Sequence, residues 1–449
     1  MMRLRLTILA VSSAVVLAAC GVQSNGDSGG KGGGGASGAK ASGPIQVGVL
    51  ITDTAAEAKR NGVSIVSPFR DTAHALVAAI NTAGGIHGRK IEVVDDAIEF
   101  TDPNFDTAFQ AICQKFTQDK HVQAVLYDGV VYNDSFNACL TNAKVPILYM
   151  PGTGASPVGD DTDLKNNPGV FVVDGVSMDR RVKSIMNKAL VSNYLPAGSK
   201  IGVVMEDCPY DQRVYDNTLK PIADQHDITL VKGAVKCAHG YADNAPSLAQ
   251  IQNFALKFKS EGVGSVMFLT TYENGLVYYL AQGAHTQHWT PQYLLFRQQG
   301  MADTMKIFPP EQLTKMRGFG GIPLSDLTNP PAPPAAQAAV QQKCLADARA
   351  NGQAAQKLTD QITVYQVCDV VRLLQQALTN SGGQGGTDAL VPAIEKLGTS
   401  FVSALDLNGA TQFGPGRHDG MELTATSAYD SVCKCFSYTG GAASATPIQ

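Results

Sequence analysis

The stretch from Ser67 to Asp95, SPFRDTAHALVAAINTAGGIHGRKIEVVD, constrains the fold more than any other part of the chain. Ser67 suits a helix cap and Pro68 the first helical turn. Ala73, Leu76, Val77 and Ile80 then recur at helical spacing and make one apolar stripe. Gly84 and Gly85 supply the left-handed backbone on which helices end. After a tight turn at Ile86–Lys90, IEVVDD reads as a short buried strand, and upstream IQVGVLI (Ile45–Ile51) reads as another. Strand, loop, helix, strand predicts a parallel βαβ unit.

The alternation continues. Helices are expected over Pro103–Asp119, with Phe105, Phe109, Ile112 and Phe116 on one face, and over Asn133–Asn142. Strands are expected at Ala124–Tyr127, Val145–Tyr149 and Val170–Val173. A long helix, Met178–Tyr194, leads to a second run. Its strands are Ile201–Met205, Ile228–Val235, Ser265–Leu269 and Tyr293–Phe296, and its helices are Asp211–Gln225, Ser247–Ser260 and Gly275–Gln282. Two such arrays argue for an α/β protein with two doubly wound parallel-sheet lobes. Beyond them come a strand at Arg317–Ile322, a stiff Pro-rich loop at Asn329–Pro334, and helices at Ala335–Ala350 and Thr359–Thr379. Asp388 is placed to cap a further helix, and the tail from Gln412 to Tyr438 holds two short strands, SAYDSV and CKCFSY.

At 449 residues the chain exceeds one typical core, and its net charge of −4 gives no reason to expect nucleic acid. Arg3 and Arg5 precede an apolar run, Leu6–Ala19, that is short for a membrane span and suits a signal peptide. The run ends in Leu17-Ala18-Ala19-Cys20, which resembles a bacterial lipobox with Cys20 as the lipidated mature N-terminus. An ordinary secretory signal with an incidental cysteine is the plainer alternative. Residues 1–20 are thus expected to be a lipoprotein signal peptide, and residues 21–43, rich in Gly and Ser, a flexible tether. The formal GxGxxG match inside that tether follows no strand and is not a nucleotide loop.

Eight cysteines remain after Cys20. An even number in an exported chain suggests disulfides, and chain order suggests neighbours: Cys113 with Cys139, Cys208 with Cys237, Cys344 with Cys368, and Cys433 with Cys435. Free buried thiols are the alternative. No CxxC, HExxH or GxSxG occurs, so neither a metal, a cofactor nor catalysis is expected. The acidic run Asp160-Asp161-Thr162-Asp163 lacks the glycine and glutamate of a calcium loop and reads as a solvated surface turn.

In open parallel sheets ligands bind beyond the carboxyl ends of the strands. Three loops there stand out: Asp128–Tyr132, Met150–Pro157 and Thr271–Asn274. In the second, PGTGASP offers backbone N–H groups at its glycines and hydroxyls at Thr153 and Ser156, chemistry suited to a carboxylate or carbonyl oxygen. Tyr132 is the nearest side chain of the first loop. Arg297, after Phe296, could add a cation. For each, an ordinary exposed turn residue is the plainer reading.

INTAGGIHGRKI (Ile80–Ile91) resembles the D-I-N-A-x-G-G-I-x-G-x-x-[IL] stretch of the leucine/isoleucine/valine-binding family of ABC-transporter substrate-binding proteins. The resemblance extends, more weakly, from about Pro44 to the C-terminus. It implies a type I periplasmic-binding-protein-like fold, two lobes joined by a multi-crossover hinge. The first lobe would take residues 44–173 plus about 300–405, the second 174–299 plus about 406–449. It also implies that the Thr153–Ser156 loop holds a carboxylate end, that Glu273 beside Tyr272 faces an ammonium, and that Tyr210 lies at the lobe interface. Two departures bear on the ligand: GVVYND replaces a hydroxyl cluster after the third strand, and ITDTAAEAKRNG lacks Gly-Pro wording. The expected function is a lipid-anchored, extracytoplasmic, non-enzymatic solute-binding protein. It would act as a monomer, closing on a small polar solute such as an amino acid or amide and delivering it to an ABC transporter permease. A ligand sensor of the same fold and a secreted hydrolase without a recognisable motif are the competing readings.

Overall fold

The computed structural model describes residues 43–56, 69–150, 158–270, 273–296, 308–441 and 444–448. Its opening elements, β1 (Ile45–Asp53), α1 (Phe69–Thr82) and β2 (Ile91–Glu99), form the expected unit. β1 and β2 run parallel from Ile45 opposite Ile91 to Asp53 opposite Glu99. The stripe of α1, extended by Phe69, is buried in one cluster with Val47 and Val49. The helix stops where Gly84 and Gly85 take φ of 110° and 73°. The Gly85 N–H donates to the Ile80 carbonyl at 3.0 Å, and a Cβ at Gly85 would collide with the Arg89 carbonyl. Ser67 and Pro68 lie outside the described residues.

Next come α2 (Phe105–Gln114), β3 (Ala124–Tyr127), α3 (Asp134–Asn142), β4 (Ile147–Tyr149), α4 (Asp161–Asn166) and β5 (Val170–Val172). Asn104 and Asn133 cap α2 and α3, each accepting a main-chain N–H within the first turn. The five strands make an all-parallel sheet, ordered β2-β1-β3-β4-β5. α1 covers one face. Phe105, Phe109, Ile112 and Phe116, joined by Phe136 and Leu140 of α3, fill the other.

The crossover helix α5 (Met178–Val191) leads to β6 (Lys200–Glu206), α6 (Pro209–Val214), α7 (Lys220–Gln225), β7 (Thr229–Val235), α8 (Asn244–Ser260), β8 (Ser265–Leu269), α9 (Glu273–Thr286), β9 (Gln292–Leu295) and β10 (Met316–Gly318). The helix expected over Asp211–Gln225 is divided by a π turn at Tyr215–Leu219, and a second π turn, Lys115–Asp119, closes α2. The chain then forms α10 (Ala335–Ala350), α11 (Leu358–Asn380) and α12 (Thr387–Glu395), with α10 and α11 packed on α1. It ends in β11 (Leu423–Thr424), β12 (Ser427–Asp430), β13 (Cys435–Tyr438) and β14 (Thr446–Pro447). The second sheet is ordered β7-β6-β8-β9-β10-β12-β13, parallel as far as β10 and antiparallel for the last two pairs. α5 packs on one face of this sheet, and α8 and α9 on the other.

Two further expectations change. The strand expected at Arg317–Ile322 is Met316–Gly318, and it belongs to the second sheet. Its residues pair with Tyr293, Leu294 and Leu295, because the backbone of β9 needs a partner on that side. Asp388 does not cap α12. Gly386, with φ of 82°, holds the cap position, and Asp388 pairs with Lys144 at 2.8 Å on the surface.

Four disulfides join sequence neighbours. Cys113–Cys139 ties α2 to α3, Cys208–Cys237 ties the loops after β6 and β7, Cys344–Cys368 ties α10 to α11, and Cys433–Cys435 lies where β12 turns into β13. None of these four links joins an element of the first sheet to one of the second.

Candidate functional site, the cleft between the sheets

The strand orders locate the crevice. In the first sheet the connections reverse direction between β1 and β3, and in the second between β6 and β8. Loops part at such points and leave room for a ligand beyond the strand ends. At the first point Asp128, wholly buried, follows β3 and reaches across to the end of β1. It accepts the Thr52 N–H at 2.7 Å and the Thr52 hydroxyl at 2.9 Å. Burial pushes its carboxyl up to about 6, against the lowering effect of those hydrogen bonds. At the second point the Thr270 hydroxyl, after β8, donates to Glu206 at the end of β6, at 3.0 Å. Burial raises the Glu206 carboxyl as well. In both sheets an acid thus clips the parted strand ends to a threonine, wholly buried for Asp128 and half-buried for Glu206.

Between these floors the two halves touch. The Tyr132 ring, from the first sheet's side, meets the Tyr210 ring edge-on, with centroids 4.9 Å apart. The Tyr132 hydroxyl donates to Asp163 at 2.9 Å. Burial, then the neighbouring Asp163 charge, holds that phenol well above its usual range. Arg213 of α6 forks onto the opposite side. Its Nε donates to Asp160 at 2.6 Å, and its Nη2 to Asp160 at 2.9 Å and to Asp163 at 2.7 Å. Burial and the adjacent Asp160 raise Asp163 to about 6, although Arg213 pulls it down. At another point of the seam the Phe105 N–H donates to the His239 carbonyl at 3.0 Å.

The acidic run is therefore not a solvated surface turn. Asp160 is 2 % exposed, caps α4 and grips Arg213. Its capping pattern, an acid with a second acid three residues on, was visible in the sequence. Its ionic partner lies 53 residues away on another layer, and no local pattern shows that.

Of the predicted site residues, the structure brings Tyr132 and Tyr210 together. Glu273 opens α9, its side chain outside what is described, and Thr153, Ser156, Tyr272, Arg297 and Cys20 lie outside the described residues. By chain position, residues 151–157 follow β4, 271–272 follow β8, and 297–307 follow β9. Sequence reasoning missed Arg213 and Glu206. The signal for Glu206 was its place directly after the apolar run IGVVM. Among the described residues no helix is long and apolar enough to cross a membrane.

No curated protein matches the chain in sequence. Among solved structures, similarity extends to a solute-binding protein of an ABC transporter from Rhodopseudomonas palustris HaA2 in complex with p-hydroxybenzoic acid. It has a TM-score of 0.60 and 15% identity, over 90% of this chain and 98% of that one. A possible leucine/isoleucine/valine-binding protein from Rhodopirellula baltica SH 1 has a TM-score of 0.58 and 16% identity, over 91% of this chain and 96% of that one. An ABC transporter substrate-binding protein from Desulfitobacterium hafniense in complex with Leu has a TM-score of 0.52 and 16% identity, over 88% of this chain and 100% of that one. These likenesses are likenesses of fold. Residues 44–422 match the family described as periplasmic binding protein, and with two parallel sheets meeting at their parted strand ends, the chain belongs to that family.

Proposed function

We propose that the protein is an extracytoplasmic solute-binding protein, tethered to the membrane through a lipidated Cys20. In this reading it captures a small polar solute between its lobes, acts as a monomer and passes the solute to an ABC importer. One observation carries the reading. Arg213 on one side grips Asp160 and Asp163 on the other, beside the Tyr132–Tyr210 contact, at the carboxyl ends of both sheets. These contacts can form only when the halves close, so they favour a closed state that a ligand would select. The first lobe is proposed to take residues 44–173 and most of the segment up to about 405, without β10, and the second lobe the remainder. The Thr153–Ser156 loop would offer N–H and hydroxyl donors to a carboxylate or carbonyl, with Tyr132 beside it. Tyr210, Tyr272, Glu273 and Arg297 would line the opposite wall. The named relatives were solved with an amino acid and with a hydroxybenzoate, so amino acids, amides and small aromatic acids belong in a first screen.

The test is a thermal-shift screen followed by small-angle scattering. At a ligand concentration about 100-fold above Kd, binding should stabilise the fold by roughly 2.7 kcal/mol, and scattering should show a more compact particle. Turnover of a bound compound, or no stabilisation by any small solute, would overturn the reading.

A further inference from the structure

We propose that Cys433 and Cys435 form a thiol–disulfide exchange site, which oxidises a dithiol to a disulfide and is itself reduced. The site lies apart from the solute cleft, and the inference does not rest on the function proposed above.

β12 starts opposite Gly318 and runs antiparallel to β10. The turn that follows it, Ser431–Lys434, therefore lies at the amino ends of the parallel strands, the end opposite the cleft. Cys433 is exposed in this turn, between Val432, at 91 % exposure, and exposed Lys434, whose φ is 52°. Cys435 opens β13 and is 9 % exposed. The Asp430 carboxylate is turned to the Val432 N–H, at 2.7 Å. The other three pairs are placed differently. Their partners are separated by 26, 29 and 24 residues, each pair joins two elements or loops, and none of those six cysteines is exposed. Cys433 and Cys435 are separated by 2 residues, in a hairpin that β12 and β13 already hold from Ser427 opposite Tyr438 to Asp430 opposite Cys435.

A cross-link constrains the unfolded chain less the shorter the loop it closes, so the fold gains least from this bond. Exposed disulfides are the ones that exchange, and a shielded second sulfur beside the open one is placed to resolve a mixed disulfide. Lys434, between the two cysteines in the chain, adds a positive charge that favours their thiolates. The difference in exposure sets the order of events. A thiolate of the dithiol attacks Cys433 Sγ, a new sulfur–sulfur bond forms, the bond to Cys435 breaks, and Cys435 leaves as a thiolate. The second thiolate of the dithiol then attacks its own mixed-disulfide sulfur, and Cys433 leaves as a thiolate. Two electrons pass to the protein, the two protons lost by the dithiol end on the two cysteines, and no further oxidant is consumed. A small dithiol and a reduced peptide with two cysteines share this chemistry.

The experiment uses the full oxidised chain. In separate arms it receives one equivalent of dithiothreitol or of a reduced peptide with two cysteines, followed by iodoacetamide and peptide mapping. Cys433 and Cys435 should be alkylated at least about tenfold more than the other six cysteines, with substrate disulfide formed in equal amount. With oxidised glutathione supplied in excess as the terminal oxidant, a catalytic quantity of protein should speed oxidation of the preferred dithiol at least about tenfold, and Cys433→Ser should abolish the gain. The faster arm identifies the source of the dithiol. In Cys435→Ser, oxidised glutathione should trap a mixed disulfide on Cys433 faster than Cys433→Ser traps one on Cys435. The doubly substituted chain, Cys433→Ser with Cys435→Ser, should keep its urea midpoint. Reduction spread evenly over the four pairs, a lowered midpoint in the doubly substituted chain, or faster trapping on Cys435 each overturns the inference. Selective reduction without any acceleration of dithiol oxidation overturns it as well, because the bond is then only a labile staple.

Discussion

Arg213 holds one half of the molecule directly to the other. Its planar fork meets two carboxylates of α4 and the turn before it, and Asp160, at 2 % exposure, has no access to water as a substitute. Arg213→Ala should therefore weaken a ligand that requires closure by about 2 kcal/mol, roughly thirtyfold. Arg213→Lys should recover only part, because it keeps the charge but not the two-pronged geometry. Calorimetry with the identified ligand checks both, and equal affinity in all three proteins would remove Arg213 from the closing mechanism. Asp128 gives a second expectation at this scale. Its carboxyl is raised to about 6 in the folded chain, against about 4 when unfolded. The native state then binds more protons than the unfolded one across that window, so stability falls as pH rises from about 4 through 6. Asp369, Glu206 and Asp211 shift in the same direction, each chiefly through burial. The urea midpoint should be higher at pH 5 than at pH 7.5, and Asp128→Asn should flatten the slope by an amount of order 2 kcal/mol. A midpoint that rises over the same interval would contradict this.

At the scale of elements, β6 and β7 approach α8 closely because each offers a glycine. A Cβ on Gly202 would sit 2.8 Å from the Phe258 ring, and one on Gly233 would sit 2.9 Å from the Phe254 and Phe258 rings. Gly202→Ala should cost about 1–3 kcal/mol in denaturant unfolding, because the fully buried Phe258 has nowhere to turn. An unchanged midpoint would mean that α8 can shift away. Elements of this kind were legible in the sequence where one physical signal dominated. Ala124–Tyr127 and Ser265–Leu269 are continuous apolar runs, and both form strands with the expected ends. The π turn at Tyr215–Leu219 was not legible, because its one trace, two buried apolar residues five apart at Val214 and Leu219 where an α-helical face repeats every three or four, is a single step inside an otherwise helical window. The sheet that β10 joins was not legible for a related reason: a three-residue strand takes its identity from the neighbour it pairs with, and that neighbour is not written locally.

For the whole molecule, the repeat of strand and helix was enough to give two parallel sheets, since alternating βα units have few other ways to bury both strand faces. The cleft was legible as a place, beyond the carboxyl ends of the strands, but its chemistry was legible only in part. Tyr132 and Tyr210 were foreseeable from loop position and resemblance, whereas the grip of Arg213 on Asp160 joins residues from different layers. The two floors also show a symmetry that the sequence hides, since Thr52 with Asp128 and Thr270 with Glu206 perform the same clip in unrelated wording.

The disulfides bear on how the chain is made. Partners are separated by 26, 29, 24 and 2 residues, and no link encloses another cysteine. Each cysteine of a pair therefore meets its partner as the next thiol to emerge during synthesis from the N-terminus. With Cys20 taken up by its proposed lipid, an oxidant that joins each emerging thiol to the free one before it would already produce the final pattern, and proofreading by an isomerase would be superfluous. Oxidative production without an isomerase should give only these four linkages by non-reducing peptide mapping. Crossed pairs in comparable yield would show that the thiols wait for one another before reacting.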